Sequence, residues 1–133
     1  WERSTKVPLI VAAPPNRAKA FSTTGEHCDQ PVGLIDLYPT LAEFCKVDHG
    51  VDLDGESLLP LLRNPDEKTG RKLITTFDEG NNSIRSEDWR YIRYADGNEE
   101  LYNLAKDPNE WENLIDHPEH RKQLQSFRKV LKN

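Results

Sequence analysis

The sequence predicts an α+β fold, in which a small four-stranded antiparallel sheet is packed against a C-terminal helix and is preceded by one further strand and one helix. First, apolar and polar residues alternate with a period of two in four short segments between positions 73 and 104. Second, the last segment carries a single apolar stripe at helical spacing. Third, an apolar run near the start is followed by a helical pattern, an order typical of a sheet covered by helices.

The first two predicted elements do not make a complete fold by themselves. Residues 7–13 are a short apolar run bounded by polar residues and prolines, which predicts a strand buried on both faces. A helix is predicted over residues 36–46, with Asp36 as its N-cap and Pro39 in its first turn, because apolar residues recur at helical spacing: Leu34, Leu37, Leu41 and Phe44. One strand and one helix cannot bury each other's surfaces, so we expect them to need a sheet that this chain does not contain.

An acidic, turn-rich connector over residues 48–56 is the best candidate for a domain boundary. We therefore divide the sequence into residues 1–56, which hold the strand and helix with this connector, and residues 57–133, which hold the sheet and the last helix. A short helical segment over residues 57–62 opens the second part and ends before Asn64.

Four strands are predicted where the hydrophobic period changes to two: Leu73–Asp78, Ser83–Ser86, Trp89–Ala95 and Glu100–Leu104. The last two are joined by Asp96-Gly97-Asn98, a favourable hairpin turn. Alternation along the third strand assigns side chains to opposite faces of the sheet: Trp89, Tyr91 and Arg93 to one, Arg90, Ile92 and Tyr94 to the other. An antiparallel meander is the simplest topology for these segments.

The segment after the sheet predicts a turn and a covering helix. Pro108 ends the sheet, and Trp111 with Leu114 is expected to pin the following turn against it. Pro118 takes the first position of the last helix, where its missing N–H costs nothing. One side of that helix carries the apolar stripe that would pack on the sheet: Leu124, Phe127 and Leu131.

Composition argues against several classes of partner. The 133 residues carry a formal net charge of −5 and only the C-terminal segment is basic, so nucleic-acid binding is not expected. No apolar run approaches the ~18 residues of a membrane-spanning helix, so no membrane partner is expected. The sequence contains no Met, which indicates a segment of a longer protein.

The two cysteines carry little information. Cys28 and Cys45 can form one disulfide or stay free, and the residues alone do not decide between these states. Together with His27 and His49 they lack the short ligand spacing of a zinc site, so no metal site is predicted.

No complete catalytic constellation is present, because the sequence has no glycine-rich phosphate loop, no nucleophile elbow and no His-Glu-x-x-His motif. The most suggestive residues are Arg85, Arg90 and Arg93, which alternate with aromatic residues near the Asn81-Asn82 turn. A guanidinium beside amide donors suits a sulfate, phosphate or carboxylate group. Alternatively, the arginines pair with nearby acidic residues such as Glu79, Glu87 and Asp88.

Five motifs follow one another along nearly the whole chain: Trp1–Ile10, Leu34–Leu41, Asp54–Leu62, Ser83–Ser86 with Trp89–Tyr94, and Glu100–Leu104 with Asp107-Pro108. In order and spacing they resemble the C-terminal third of type I sulfatases, and they are most similar to iduronate-2-sulfatase-like members. The resemblance implies that residues 1–56 belong to a large alkaline-phosphatase-like α/β domain and that residues 57–133 form the family's C-terminal subdomain.

By this resemblance the full-length protein is a sulfuric ester hydrolase. Its nucleophile would be a formylglycine made within a Cys/Ser-x-Pro/Ala-x-Arg motif, and calcium would bind the sulfate. Neither Cys28 nor Cys45 lies in such a motif. The calcium ligands and the sulfate-binding lysine are expected upstream, and Lys6 is not that lysine. The segment is therefore expected to hold no catalytic residue, to bind no cofactor or metal, and to be inactive alone.

The resemblance also implies that the C-terminal subdomain leans over the mouth of the active site and shapes the substrate pocket. On that basis Asn81, Asn82 and Arg85 are predicted substrate contacts, while the alternative is that the turn needs Gly80 and the asparagines only for its backbone angles. The expected partners are the N-terminal catalytic domain of the same polypeptide and a sulfated sugar such as 2-sulfated uronate. The expected location is periplasmic or secreted.

Two alternative functions stay open at this point. A related phosphatase or phosphonate hydrolase would use the same scaffold for phosphoryl chemistry. A non-catalytic module would use the aromatic and arginine face of the sheet to bind acidic glycans.

Overall fold

The computed structural model describes residues 2–14, 16 and 25–131 of the chain. Trp1 and Pro15, on which parts of the sequence analysis depend, lie outside the described residues. The elements follow in the order α1 (Glu2–Thr5), a 3₁₀ turn (Leu34–Asp36), α2 (Leu37–Cys45), α3 (Leu59–Arg63), β1 (Leu73–Thr76), β2 (Asn82–Arg85), β3 (Trp89–Arg93), β4 (Glu99–Asn103), a second 3₁₀ turn (Pro118–His120) and α4 (Arg121–Val130).

The chain divides into two compact units. The sheet unit consists of Trp1–Val7 with Arg71–Asn133, and the helical unit consists of Pro8–Gly70. The short α1 therefore belongs with the sheet, although 65 or more residues separate the two in sequence. The domain division at residues 56 and 57, which rests on composition and on the resemblance, stays a prediction.

In the sheet unit the four strands form an antiparallel sheet in the order β1-β2-β3-β4, so the predicted meander is confirmed. The register places Ile84 of β2 opposite Tyr91 of β3, which in turn lies opposite Leu101 of β4. The predicted hairpin turn between β3 and β4 is present, where the Tyr94 N–H donates to the Asn98 oxygen at 2.9 Å and Gly97 supplies the positive φ of 89° that the turn requires.

Helix α4 covers one face of this sheet, which we name the apolar face. Its Leu124 and Phe127 side chains pack against Ile84, Tyr91 and Leu101, and all five are buried. The rings of Tyr91 and Phe127 are stacked with their centroids 5.9 Å apart. This packing confirms the α+β fold class and the alternation predicted along β3, because a helix with one apolar stripe buries it only against a complementary sheet face.

The turn between β4 and α4 differs in one respect from the prediction. Leu114 packs against the buried cluster and its N–H donates to the Leu101 oxygen at 2.8 Å, as a pinning residue should. The Trp111 side chain, however, is 83% exposed. The turn is stabilised by hydrogen bonds to its backbone, because the Asp107 carboxylate accepts the backbone N–H groups of Trp111 at 2.6 Å and Glu112 at 2.9 Å.

In the helical unit the predicted helix is present and Asp36 occupies its N-cap position, but the Asp36 side chain makes no capping hydrogen bond to α2. Its carboxylate instead accepts the N–H of Gly33 and the N–H of Glu56, both at 2.9 Å. The Thr40 hydroxyl in turn accepts the Leu58 N–H at 2.8 Å. Asp36 and Thr40 are therefore buried because they tie the connector and the start of α3 to α2.

The strand predicted over residues 7–13 is not formed, since this segment has no regular secondary structure. Its apolar side chains are exposed, Ile10 by 85% and Val7 by 72%. A strand of a parallel sheet needs partners on both edges for its backbone groups, and the sheet of this chain uses none of these residues. Apolar side chains of α2 and of the 3₁₀ turn before it are also exposed, Leu41 by 60% and Leu34 by 80%.

Candidate functional site

The turn between β1 and β2 holds two of the predicted substrate contacts. The Phe77 backbone N–H donates to the backbone carbonyl oxygen of Asn81 at 2.9 Å, and Gly80 has a φ of +82°. The positive φ favours glycine at this position, and a Cβ there would also make a tight contact of 3.0 Å with the Ala95 Cβ. The conformational explanation for Gly80 is therefore correct, and it leaves the roles of the asparagine side chains to be assigned.

Asn81 joins this turn to its neighbour in the sheet. Its Oδ1 accepts the Ala95 N–H at 3.1 Å, so the β1–β2 and β3–β4 turns lie side by side at one end of the sheet. The next residue, Asn82, uses its Oδ1 to accept the Thr76 hydroxyl at 2.9 Å. Among the residues that the structure describes, the Asn82 Nδ2 donates to no protein acceptor, which leaves an amide donor for a ligand oxygen.

Arg85 lies at the opposite end of β2 and on the opposite face from Asn82, since three positions separate them along the strand. The structure therefore brings Asn81 and Asn82 together but does not bring Arg85 to them. The Arg85 guanidinium donates from Nε to Glu2 Oε2 at 3.2 Å and from Nη2 to Glu2 Oε1 at 3.4 Å. Its Nη1 donates to the backbone oxygens of Ser86 and Glu87. Most of its donors are thus used within the protein.

Arg90 is the most deeply buried charge in this region, with a side chain only 2% exposed. It lies on the face opposite α4, as the alternation along β3 predicts. Its Nη2 donates to Glu2 Oε2 at 2.5 Å and to the Thr5 hydroxyl at 3.0 Å, and its Nε lies 2.7 Å from Glu110 Oε1. That last contact is ionic and lacks the alignment of a linear hydrogen bond.

We name Glu2, Arg85, Arg90 and Glu110 the arginine cluster. Two carboxylates and two guanidiniums cancel, so its formal charge is zero. Burial by itself would raise the pKa of Glu2, but the hydrogen bonds from Arg85 and Arg90 outweigh it and leave that pKa below its usual value. Arg85 and Arg90 thus do pair with acidic residues, but with Glu2 and Glu110 and not with the nearby acidic residues that the sequence analysis named.

Beside the cluster, two tyrosines share one carboxylate. The hydroxyls of Tyr94 and Tyr102 donate to the two oxygens of Glu100 at 3.1 and 3.0 Å. Burial, and then the Glu100 carboxylate, raises the pKa of Tyr94 to about 12. Both phenols therefore stay protonated at neutral pH and act as hydrogen-bond donors rather than as bases.

Arg93 behaves differently from the other two arginines. It lies on the apolar face, beside Asn82 in the register, and its Nη2 donates to the Leu131 oxygen at 3.3 Å. That bond satisfies a carbonyl at the C-terminal end of α4, where a cation is also favoured by the helix dipole.

Within residues 2–14, 16 and 25–131, no group of three His, Cys, Asp or Glu side chains is arranged to hold a metal ion, and we assign no step to calcium. Cys28 and Cys45 are free thiols.

No helix among the described residues has the length and apolarity needed to cross a membrane. A shallow groove beside α2 is lined by Leu34, Tyr38 and residues 52–55, without a reactive pair.

Two residues of the arginine cluster could not be found by sequence reasoning. Glu2 belongs to a four-residue helix and Glu110 to a loop, where its φ is 58°, and neither position carries a local signal. Arg90, in contrast, did carry a local sequence signal. A charged residue in the middle of a strand, next to Tyr91 and Ile92, requires a partner if it is buried.

Comparison with known proteins identifies relatives over the whole chain. Residues 1–133 match the family model described as N-sulphoglucosamine sulphohydrolase, C-terminal. A sulfatase from Formosa agariphila is 32% identical over 98% of this chain and 25% of its own length. A delta 4,5-hexuronate-2-O-sulfatase from Bacteroides thetaiotaomicron is 30% identical over 98% of this chain and 28% of its own length.

The fold has relatives among solved structures as well. A crystal structure of a putative sulfatase from Bacteroides thetaiotaomicron matches with a TM-score of 0.58 and 29% identity, over 73% of this chain and 23% of that protein. The chain thus spans about a quarter of the length of the relatives that it matches.

Proposed function

Because the chain belongs to the family of sulfatase C-terminal regions described as N-sulphoglucosamine sulphohydrolase, C-terminal, we propose that it shapes the substrate pocket of a sulfatase that acts on a sulfated sugar. The observation that carries this proposal is the match of the family model to all 133 residues. The hydrolytic chemistry itself, including the formylglycine nucleophile and the calcium that the resemblance implies, would be supplied by parts of the full-length protein outside residues 1–133.

We further propose that the substrate is a 2-O-sulfated uronate, as in an iduronate-2-sulfatase-like enzyme. The support is the 30% identity to a delta 4,5-hexuronate-2-O-sulfatase over nearly the whole chain. Of the residues described, Asn82 fits best as a contact, because its Nδ2 is available while its Oδ1 is fixed by Thr76. An amide donor held in this way can bind a sugar hydroxyl or a sulfate oxygen.

Asn81 and Arg85 are the other two proposed contacts, and each would act in a different way. Asn81 acts by fixing the turn, since its Oδ1 is used by the Ala95 N–H. Arg85 lies at the far end of β2 and would meet a different part of an extended substrate with its remaining donor. The largest effect on substrate binding is therefore expected at Asn82.

The test is sulfate release by the full-length protein from a 2-O-sulfated uronate disaccharide and from a small aryl sulfate. We expect Asn82→Ala to raise KM for the disaccharide about tenfold, the effect of one lost hydrogen bond of about 1.4 kcal/mol. The matched control is Asn109→Ala, which removes an exposed asparagine from another turn of the sheet unit. An unchanged KM in Asn82→Ala would remove Asn82 from the site.

The same assay separates the alternative functions. Hydrolysis of a phosphate or phosphonate ester, with no release of sulfate, would identify the phosphoryl-transferring enzyme instead. Salt-sensitive retention on heparin, with no turnover of any ester, would identify a glycan-binding module.

A further inference from the structure

Among the described residues, the contacts that join the short helix α1 to the sheet are polar. None of the four residues of α1 is buried. The Glu2 carboxylate binds Arg85 and Arg90, and the Thr5 hydroxyl accepts from Arg90 at 3.0 Å. The Glu2 N–H donates to Glu110 Oε2 at 2.8 Å. Both the backbone and the side chain of Glu2 are therefore bound to residues of the sheet unit.

Arg90 is the common member of these contacts. It joins α1, through Glu2 and Thr5, to the turn that contains Glu110, and its Nη1 also reaches the Ser83 hydroxyl at 3.3 Å. Ser83 directly follows Asn82. The same guanidinium thus contacts the start of the chain and the strand that begins with the proposed substrate contact.

A network of this kind specifies geometry more than it adds stability. Removing charges from water offsets most of the attraction between them, so a buried ion pair adds little stability over a well-packed apolar pair of the same shape. Its directional contacts do, however, exclude other positions of the groups that it joins. Glu110 supports this interpretation, because its side chain is only 3% exposed although its backbone has the unfavourable φ of 58°.

We propose that Arg90 is a positioning residue, which holds the segment around Glu2 in one place on the sheet and so keeps the Asn81-Asn82 turn in register with the part of the sulfatase that adjoins residue 2. This inference rests on the proposed function in one respect, namely that the turn contacts the substrate. The attachment of α1 to the sheet does not depend on it.

The primary variant is Glu2→Gln in the full-length protein, which keeps the shape of the side chain and removes one charge of the cluster. We expect KM for the 2-O-sulfated uronate disaccharide to rise about tenfold, with kcat within about twofold, because the contact that is displaced binds the sugar rather than the reacting group. For a small aryl sulfate, which would not reach the turn, we expect kcat/KM to stay within about twofold.

The second variant is Arg90→Lys, which retains a positive charge but loses the planar fork that reaches several groups at once. Like Glu2→Gln, it should raise KM for the disaccharide and leave kcat/KM for the aryl sulfate within about twofold. The matched control is Glu112→Gln, which alters an exposed glutamate two residues after Glu110. It should leave KM and kcat unchanged for both substrates. An equal loss of activity on both substrates in Glu2→Gln, or no change on either, would overturn the proposal.

A structural readout keeps the inference independent of catalysis. Hydrogen exchange of the amides of residues 2–6 in the full-length protein should become about tenfold faster in Glu2→Gln and unchanged in Glu112→Gln. If the wild-type protein releases no sulfate from any ester, the proposed function fails while faster exchange still supports the attachment of α1. If exchange is unchanged, the attachment itself is wrong, whatever the enzyme hydrolyses.

Discussion

The two faces of the four-stranded sheet bury comparable positions of the same strands in opposite ways. On the apolar face, Ile84, Tyr91 and Leu101 are covered by Leu124 and Phe127 of α4. On the other face, Arg85 and Arg90 are covered by the carboxylates of Glu2 and Glu110. Apolar contacts tolerate small shifts of one element over another, whereas ion pairs and hydrogen bonds depend on direction. The first face should therefore determine stability, and the second should determine position.

The largest effect is expected on the apolar face. Phe127→Ala should lower the free energy of unfolding of the sheet unit by about 3–5 kcal/mol, because it removes a fully buried ring and leaves a cavity under Tyr91. Native-state hydrogen exchange of the β3 amides measures this change. A loss below about 1 kcal/mol would show that α4 is not the main cover of the sheet.

A somewhat smaller effect is expected when the arginine cluster is broken from one side. Arg90→Met should cost about 3 kcal/mol, because it leaves the carboxylates of Glu2 and Glu110 with one buried partner fewer. The triple variant Glu2→Gln, Arg90→Met, Glu110→Gln should recover most of that loss, as measured by the same exchange experiment. If the triple variant is the least stable of the set, the cluster contributes to stability as well as to position.

Acid should affect both faces by the same mechanism. On the apolar side, a hydrogen bond from Arg128 outweighs burial and lowers the pKa of Glu99. The arginine cluster lowers the pKa of Glu2 against the opposing effect of burial. Because both pKa values are lower in the folded protein than the unperturbed 4.5, the stability that they contribute is present above pH 4.5 and is lost as pH falls through the folded values.

The measurement is the urea midpoint of the sheet unit at a series of pH values below neutrality. Glu2→Gln and Glu99→Gln should each reduce the acid dependence, and the two changes should add, since the side chains lie on opposite faces. An acid dependence that is the same in both variants as in the wild type would contradict the assigned ion pairs.

The smallest effect is expected from the tyrosines, one on each face. Burial, followed by the carboxylate of Glu99, raises the pKa of Tyr91 to about 12, and Tyr94 on the other face has the same value for the corresponding reasons. Their folded pKa values lie above the unperturbed 10.0, so the stability they contribute is present below pH 10.0 and is lost as pH rises towards 12. Titration of tyrosinate absorbance measures these pKa values. The variant Tyr91→Phe should remove one of the tyrosines that ionise above pH 10.

Local patterns were sufficient to predict the sheet. The alternation over residues 89–94 determines which side chains face α4, and Asp96-Gly97-Asn98 determines the turn, so both are found in the structure as predicted. The stripe of Leu124 and Phe127 is equally local. These features depend on neighbours a few residues away, which sequence periodicity reports directly.

Features that depend on distant partners could not be predicted in the same way. The run at residues 7–13 has the composition of a buried strand, but burial on both faces requires neighbouring strands that are not among the described residues of this chain. Arg90 and Glu2 are 88 positions apart, and nothing in either segment indicates that they meet. Arg85 was therefore predicted as a substrate contact together with Asn81 and Asn82, whereas its guanidinium binds the Glu2 carboxylate of the protein.

The most direct test of the account compares Glu2→Gln with Phe127→Leu in the full-length protein, at a temperature where both variants are folded. The quantity is KM for the 2-O-sulfated uronate disaccharide, measured beside the unfolding temperature of each variant. We predict that Glu2→Gln raises KM about tenfold, more than its own loss of stability explains, whereas Phe127→Leu lowers the unfolding temperature and leaves KM unchanged. Parallel changes of both quantities in both variants would contradict the division of stability and position between the two faces.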